Sequence, residues 1–232
     1  PKQTKIYYDL IENGVHKLGT DKEFDTPEDA LLYYLTSKEV EEVKAKNALS
    51  LLLRLQQVLG GFITTEDKKV KPIDDTNPRI ELLLNTISDI PDKIIIWARF
   101  KPELAEIEKQ LKEKYGSEST VTYHGDVNKD DRLLAVDRLQ NDPKTRFFVG
   151  QPHCGGIGLT LTAATFTIYY SNDFSLETRL QSEDRNHRIG QTNKVTYIDL
   201  TCTNTIDEKI IEVLQDKKEL AFDILNNEAL LK

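Results

Sequence analysis

The sequence predicts an α/β fold in which a parallel β-sheet carries helices on both faces and a helical segment precedes it. From Asn77 onward, short apolar runs alternate with helical segments. Each run is apolar throughout rather than at every second residue, which is typical of strands buried on both faces of a parallel sheet. Strands are expected at residues 94–97, 121–123, 147–149, 166–170 and 195–200.

The residues before the sheet predict helices and one hairpin. A first helix over 1–13 should end at Gly14, and two more are expected over 27–35 and 38–59. The leucines of the third helix recur at intervals of three and four, so this helix should be partly buried. A short hairpin at 62–73 follows.

Helix signals also separate and follow the strands. Ser175 suits an N-cap and Gly190 a residue just past a helix end, which predicts a helix over 176–188. Thr205 and Glu208 form a capping box that opens a last helix. Further helices are expected over 77–89, 102–115, 128–140 and 206–225.

These elements divide the chain into three predicted segments. Residues 1–76 form a helical segment with the short hairpin, residues 77–204 form the α/β lobe, and residues 205–232 form a C-terminal helix that packs on the lobe.

Composition narrows the class of protein. The net charge of −8 argues against a surface coated in positive potential, although a local basic cleft stays possible. Cys154 and Cys202 are isolated, and the four histidines form no ligand pair, so no structural metal is predicted. The sequence has no apolar run of the ~20 residues that span a membrane, so we expect a cytoplasmic protein with no membrane partner. A chain that starts at Pro1 and lacks methionine is expected to be an excised fragment.

Residues 181–191 read QSEDRNHRIGQ and place Arg185 and Arg188 three apart. On the predicted helix both guanidinium groups would leave one face, and two such groups suit a polyanion with several equivalent oxygens. An ordinary exposed helix would look much the same, because Gln181 and Asp184 each lie four residues before one of the arginines.

The segment 154–161 is rich in glycine, follows a strand and opens a short helix, so its backbone amides could face a phosphate. A tight turn is the alternative. Ligands of an open parallel sheet meet the loops at the carboxyl ends of the strands, and Arg99 and the segment 124–126 lie in two other such loops.

The motif QSEDRNHRIGQ closely resembles motif VI of the Swi/Snf-type ATPases, which belong to helicase superfamily two. Residues 155–164, GGIGLTLTAA, resemble motif V of the same family, and residues 94–100 resemble motif IV. Residues 123–126 resemble a short family segment, although His124 replaces its aspartate. Within this family, the sequence most resembles phage and bacterial members.

The resemblance implies a RecA-like second helicase lobe that translocates on double-stranded DNA. Residues 1–76 would form the junction to a first lobe of the same chain, and ATP with Mg²⁺ would be held mainly by that first lobe. The family's roles then fall on these residues: Arg185 and Arg188 as catalytic arginine fingers; Gly156, Gly158 and Gln181 at ATP; and Arg99, His124, Gly125 and Gly155 at the DNA backbone.

Two motifs of the first lobe are missing from this sequence. It contains no Gly-x-x-x-x-Gly-Lys-[Ser/Thr] segment and no apolar strand that ends in Asp-Glu. The fragment alone is therefore expected to be inactive.

Two other functions stay open at this point. A noncatalytic α/β module could keep the fold while binding nucleic acid or protein, and a strand-separating helicase would share the ATP chemistry. Because the sequence resembles bacterial and phage members, we expect the protein to be associated with the nucleoid or to occur in a phage-infected bacterial cell.

Overall fold

The computed structural model describes residues 2–18, 24–36, 42–65, 67–154 and 159–230. Its residues divide into two compact units, one comprising Pro1–Arg79 with Cys202–Glu212 and the other Ile80–Thr201 with Val213–Lys232. The three predicted segments, with boundaries at 76/77 and 204/205, stay a prediction about domain organisation.

The first unit is mainly helical. It contains α1 (Lys2–Leu18), α2 (Pro27–Thr36) and α3 (Glu42–Leu59). An antiparallel hairpin of β1 (Phe62–Thr64) and β2 (Val70–Pro72) follows, as the sequence predicts.

Gly14 does not end the first helix, which continues to Leu18. A Cβ atom at Gly14 would lie 2.5 Å from Cδ2 of Leu51 on α3. The glycine therefore serves the close approach of two helices, and the prediction that it stops α1 was wrong.

A buried tyrosine ties three parts of the first unit together. The hydroxyl of Tyr7 donates to Oε1 of Glu28 at 3.0 Å and accepts from the backbone N–H of Ile206 at 2.8 Å. Burial, with the nearby Glu28 carboxylate, raises the pKa of the Tyr7 hydroxyl well above its usual value. The hydroxyl therefore stays neutral and can both donate and accept.

The second unit is built on a five-stranded sheet in the order β4-β5-β3-β6-β7. Every neighbouring pair is parallel, which confirms the predicted α/β fold. The strands are β3 (Lys93–Trp97), β4 (Thr120–Tyr123), β5 (Phe147–Gly150), β6 (Ala164–Tyr169) and β7 (Thr196–Asp199).

Helices precede the first strand of the sheet and, in the residues that the structure describes, follow four of its five strands along the chain. They are α4 (Pro78–Ser88), α5 (Lys101–Tyr115), α6 (Lys129–Asn141), α7 (Leu176–Glu183) and α8 (Ile206–Leu230), with a 3₁₀ turn at Pro152–Cys154. In the described part of the chain, no helix combines the length and the apolar character that crossing a membrane requires.

The sheet is buried on both faces, and successive side chains of a strand point to opposite sides of it. On β3, Ile94 and Ile96 join one core cluster with Leu83 of α4, while Ile95 and Trp97 join another with Leu139 of α6. Trp97 is fully buried and meets the ring of Phe148 edge-on, with 5.8 Å between centroids. Helices therefore cover both faces, as the uniformly apolar strands predict.

Candidate functional site

The register of the sheet brings several predicted loops to one edge. Trp97, the last residue of β3, lies opposite Gly150 and Tyr169, and Gly150 lies opposite Tyr123. The residues that follow these strands therefore share the carboxyl edge of the sheet.

Arg99 lies at this edge and is half-buried. Its backbone N–H donates to Oγ of Ser171 at 2.8 Å, and its carbonyl oxygen accepts from Nε2 of Gln151 at 2.8 Å. Burial lowers the pKa of the Arg99 guanidinium, and Asp173 and Glu103 partly offset that effect. The cation therefore stays charged in a setting that already contains two carboxylates.

His124 and Gly125 follow β4 at the same edge. Nδ1 of His124 accepts weakly from the backbone N–H of Asp126 at 3.4 Å, and Gly125 is exposed. A Cβ atom at Gly125 would lie 3.9 Å from Sγ of Cys154. The loop after β4 thus borders the start of the glycine-rich segment.

The glycine-rich segment is described only at its ends. Gly155, Gly156 and Gly158 lie outside the described residues. The described continuation, 159–163, leads to the start of β6. Residues 151–163 therefore run from the carboxyl end of β5 to the amino end of β6.

The arginine helix is shorter than predicted. α7 begins after the expected N-cap, with Oγ of Ser175 accepting from the N–H of Thr178 at 3.2 Å, but it ends at Glu183. Arg185 and Arg188 lie beyond it in a looped segment, so the prediction of two arginines in the last helical turn was wrong.

Tertiary hydrogen bonds explain why the helix ends early. The carbonyl oxygen of Arg185 accepts from the backbone N–H of Leu161 at 2.8 Å, so this carbonyl is satisfied without a further helical turn. The backbone N–H of Gln191 donates to the carbonyl oxygen of Arg188 at 2.9 Å, which closes a tight turn. Gly190 adopts a φ of 104° within that turn, a backbone conformation that favours glycine. The turn, rather than a helix end, therefore requires the glycine.

The segment 185–191, here called the arginine loop, packs on β6 and on the residues that precede it. Asn186 is fully buried, and its Nδ2 donates to Oγ1 of Thr167 at 2.9 Å. Nε2 of Gln191 lies 2.9 Å from the carbonyl oxygen of Thr162 and 3.2 Å from that of Ala164. The arginine loop therefore lies near the amino end of β6, away from the edge that carries Arg99.

The two arginines of the loop differ in exposure. Arg188 is exposed, and its Nη1 lies 3.2 Å from the carbonyl oxygen of Leu159 and 3.3 Å from Oγ1 of Thr160. Arg185 is half-buried. Gln181 is exposed on α7, where its Nε2 donates to Oε1 of Glu177 at 2.9 Å.

The described contacts thus sort the predicted residues into two groups. Arg185 and Arg188 lie in the arginine loop, which contacts residues 159–162, whereas Arg99, His124 and Gly125 lie at the carboxyl edge.

Sequence reasoning missed Asn186 and Arg179. Arg179 makes a two-bond fork to Asp199, at 2.6 and 3.1 Å, and its guanidinium carbon lies 3.6 Å from the centroid of the Tyr169 ring. The partner Glu183, four residues later on the same helix, was a visible signal. For Asn186 the signal was a polar residue between two arginines, and local sequence alone does not predict that such a residue is buried.

The family comparison agrees with this geometry. Residues 78–190 match the family model of the helicase conserved C-terminal domain, and they include most of the sheet and both arginines. These residues are a helicase C-terminal domain.

Two curated relatives show what the chain is similar to. The SWI/SNF-related matrix-associated actin-dependent regulator of chromatin subfamily A containing DEAD/H box 1 of Xenopus tropicalis is 30% identical over 149 residues, 64% of this chain and 15% of the relative. The uncharacterized ATP-dependent helicase MG018 of Mycoplasma genitalium is 27% identical over 245 residues, 99% of this chain and 22% of the relative. Through residues 78–190 the chain is similar to the helicase C-terminal part of such proteins, SWI/SNF-related proteins among them.

A solved structure shows the same fold. The Sulfolobus solfataricus SWI2/SNF2 ATPase core in complex with double-stranded DNA aligns with a TM-score of 0.65 at 23% identity, covering 98% of this chain and 44% of that one. The likeness identifies the fold as RecA-like. The chain spans less than a quarter of the length of the two curated relatives.

Proposed function

We propose that this chain is the second motor lobe of an ATP-dependent translocase on double-stranded DNA. Arg185 and Arg188 act as arginine fingers on ATP that is held mainly by a first RecA-like lobe of the same protein. The observation that carries the proposal is the exposed guanidinium of Arg188, on a loop anchored to β6 and in contact with residues 159–160.

The residues present fit the triphosphate end of ATP. A guanidinium group offers several N–H donors in a fixed plane, which suits the equatorial oxygens of a phosphoryl group in transfer. Mg²⁺ neutralises phosphate charge in such sites, and its ligands would belong to the first lobe. This lobe would therefore supply positive charge and leave metal binding to its partner.

The DNA contacts would lie at the other group of residues. Arg99, His124, Gly125 and Gly155 would meet phosphates of the backbone, which carry no sequence information directly. The related Sulfolobus solfataricus core is described in complex with double-stranded DNA, which supports duplex DNA as the partner. The glycine-rich segment would join the DNA contacts to the nucleotide.

The experiment is a steady-state ATPase assay of the full-length protein, that is, the protein with its first lobe. We expect hydrolysis that rises when double-stranded DNA is added. A full-length protein that hydrolyses no ATP with or without DNA would favour a noncatalytic module. A duplex-unwinding assay then separates translocation from strand separation.

A further inference from the structure

The arginine loop is anchored at both ends by side-chain amides. Near its start, Nδ2 of Asn186 donates to Oγ1 of Thr167 on β6 at 2.9 Å. At its end, Nε2 of Gln191 lies 2.9 Å from the carbonyl oxygen of Thr162 and 3.3 Å from that of Asn186 itself. The amide of Asn186 thus fixes the loop to β6, and the amide of Gln191 ties the end of the loop to a residue just before β6 and to the backbone of Asn186.

Asn186 is an unusual choice for a position that only has to fill space. Its side chain is fully buried, and within the described residues its Oδ1 has no hydrogen-bond partner. A buried amide that is only half satisfied is unfavourable compared with an apolar side chain of the same size. The directional bond to Thr167, which is also fully buried, offsets part of that unfavourable free energy.

The position of the bond in the chain gives it a consequence. Asn186 directly follows Arg185 and stands two residues before Arg188, so one bond to the rigid sheet fixes the backbone between the two arginines. The backbone of Arg185 is fixed as well, by the bond from Leu161. Directional bonds of this kind set the orientation of the groups they hold.

We propose that Asn186, with Thr167 as its partner, is a positioning residue for the arginine pair. The inference rests on the proposed function of Arg185 and Arg188. The amide touches no nucleotide itself, but it holds the loop backbone so that both guanidinium groups can reach the phosphates when the lobes close. Gln191 holds the far end of the same loop.

The test separates positioning from folding by removing the bond without changing size. The variants are Asn186→Leu, Thr167→Val and their combination in the full-length protein, with kcat and KM for ATP measured beside thermal unfolding. Gln140→Leu is the matched control, because this amide also binds residues 162 and 163, at 3.2 and 2.8 Å, but belongs to α6 and has no described bond to the arginine loop.

We expect Asn186→Leu and the combined variant to lower kcat by about 10- to 100-fold at nearly constant KM, as a misplacement of about 1 Å does in other enzymes. The combined variant should unfold close to the wild-type temperature, because replacing both partners by apolar groups leaves no orphaned partner. Gln140→Leu should leave kcat within about threefold of wild type, because it should not displace the arginine loop by the ~1 Å that causes a large loss.

A second comparison links the effect to the arginines. In an Arg188→Ala background, Asn186→Leu should cost much less than it does alone, since part of what it positions is gone. A wild-type kcat in the combined variant, or equal losses in Gln140→Leu, would overturn the positioning role. If Arg188→Ala and Arg185→Ala both turn over normally, the proposed function fails instead, so the two failures are distinguishable.

Discussion

Nη1 of Arg188 lies 3.3 Å from Oγ1 of Thr160, so the guanidinium rests on the last residues of the glycine-rich segment. Nη1 also lies 3.2 Å from the carbonyl oxygen of Leu159, so both acceptors of the exposed Arg188 are neutral. A phosphate oxygen is a stronger acceptor for a guanidinium group. The resting contacts can therefore hold Arg188 in reach and still release it.

The first prediction concerns the arginine pair. In the full-length protein, Arg185→Ala and Arg188→Ala should each lower kcat by about 10³- to 10⁵-fold, the range seen for arginine fingers, with a much smaller effect on ATP binding. The measurement is kcat and KM for ATP, with thermal unfolding as a check on folding.

Arg185→Lys and Arg188→Lys are the matched variants, because lysine keeps the charge and loses the planar fork. Near-normal turnover in both alanine variants would show that the loop has a structural role only. Turnover lost together with folding would lead to the same conclusion.

The second prediction concerns the chain on its own. The purified 232-residue chain should hydrolyse no ATP above a blank and bind it weakly, because the magnesium ligands and most phosphate ligands are expected on the first lobe. Phosphate release and calorimetric titration with ATP measure both properties. Steady turnover by the chain alone would contradict the division of labour between two lobes.

The third prediction separates DNA contact from nucleotide contact. Arg99→Ala in the full-length protein should weaken the stimulation of ATPase by double-stranded DNA more than it lowers basal ATPase. Arg138→Ala is the control, since the described contacts of Arg138 are with Glu118 and Asp142. An equal loss of basal and stimulated activity would assign Arg99 to the nucleotide or to the core.

The fourth prediction concerns stability. Arg179→Met should lower the free energy of unfolding by about 1.5–3 kcal/mol, the range for hydrogen bonds to charged groups, because it removes the fork to Asp199. The methionine keeps much of the contact with the Tyr169 ring.

Urea denaturation followed by circular dichroism measures this loss. Lys144→Ala is the comparison, because its pair with Glu118 is exposed on both sides and should contribute little to stability. Equal stability of the two variants would mean that the Asp199 fork contributes no more than a surface pair.

The fold was predictable because its signals are local and repeated. The apolar runs around Ile95 and Phe148 each indicate a strand buried on both faces, and the helices between them require parallel connections. The carboxyl edge that carries Arg99 follows from that topology alone.

The arginine loop was not predictable in the same way. Ser175 and Gly190 both carry helix signals, but the bond from Leu161 to Arg185 and the bond from Asn186 to Thr167 join residues far apart in the chain. Gly14 was misread for a similar reason, since only Leu51 shows why a side chain is unfavourable there. Sequence signals for a helix end cannot distinguish a stop from a tertiary contact.

Trp97 has a practical consequence for all of these variants. It is the single tryptophan of the chain, and it is fully buried in the sheet of the second unit, against Phe148. An indole ring in apolar surroundings fluoresces at shorter wavelength than one in water, so its emission reports whether this sheet is intact. In the isolated chain, a red shift of that emission would identify unfolding of the unit that carries the arginine loop, separately from any melting of the helical unit.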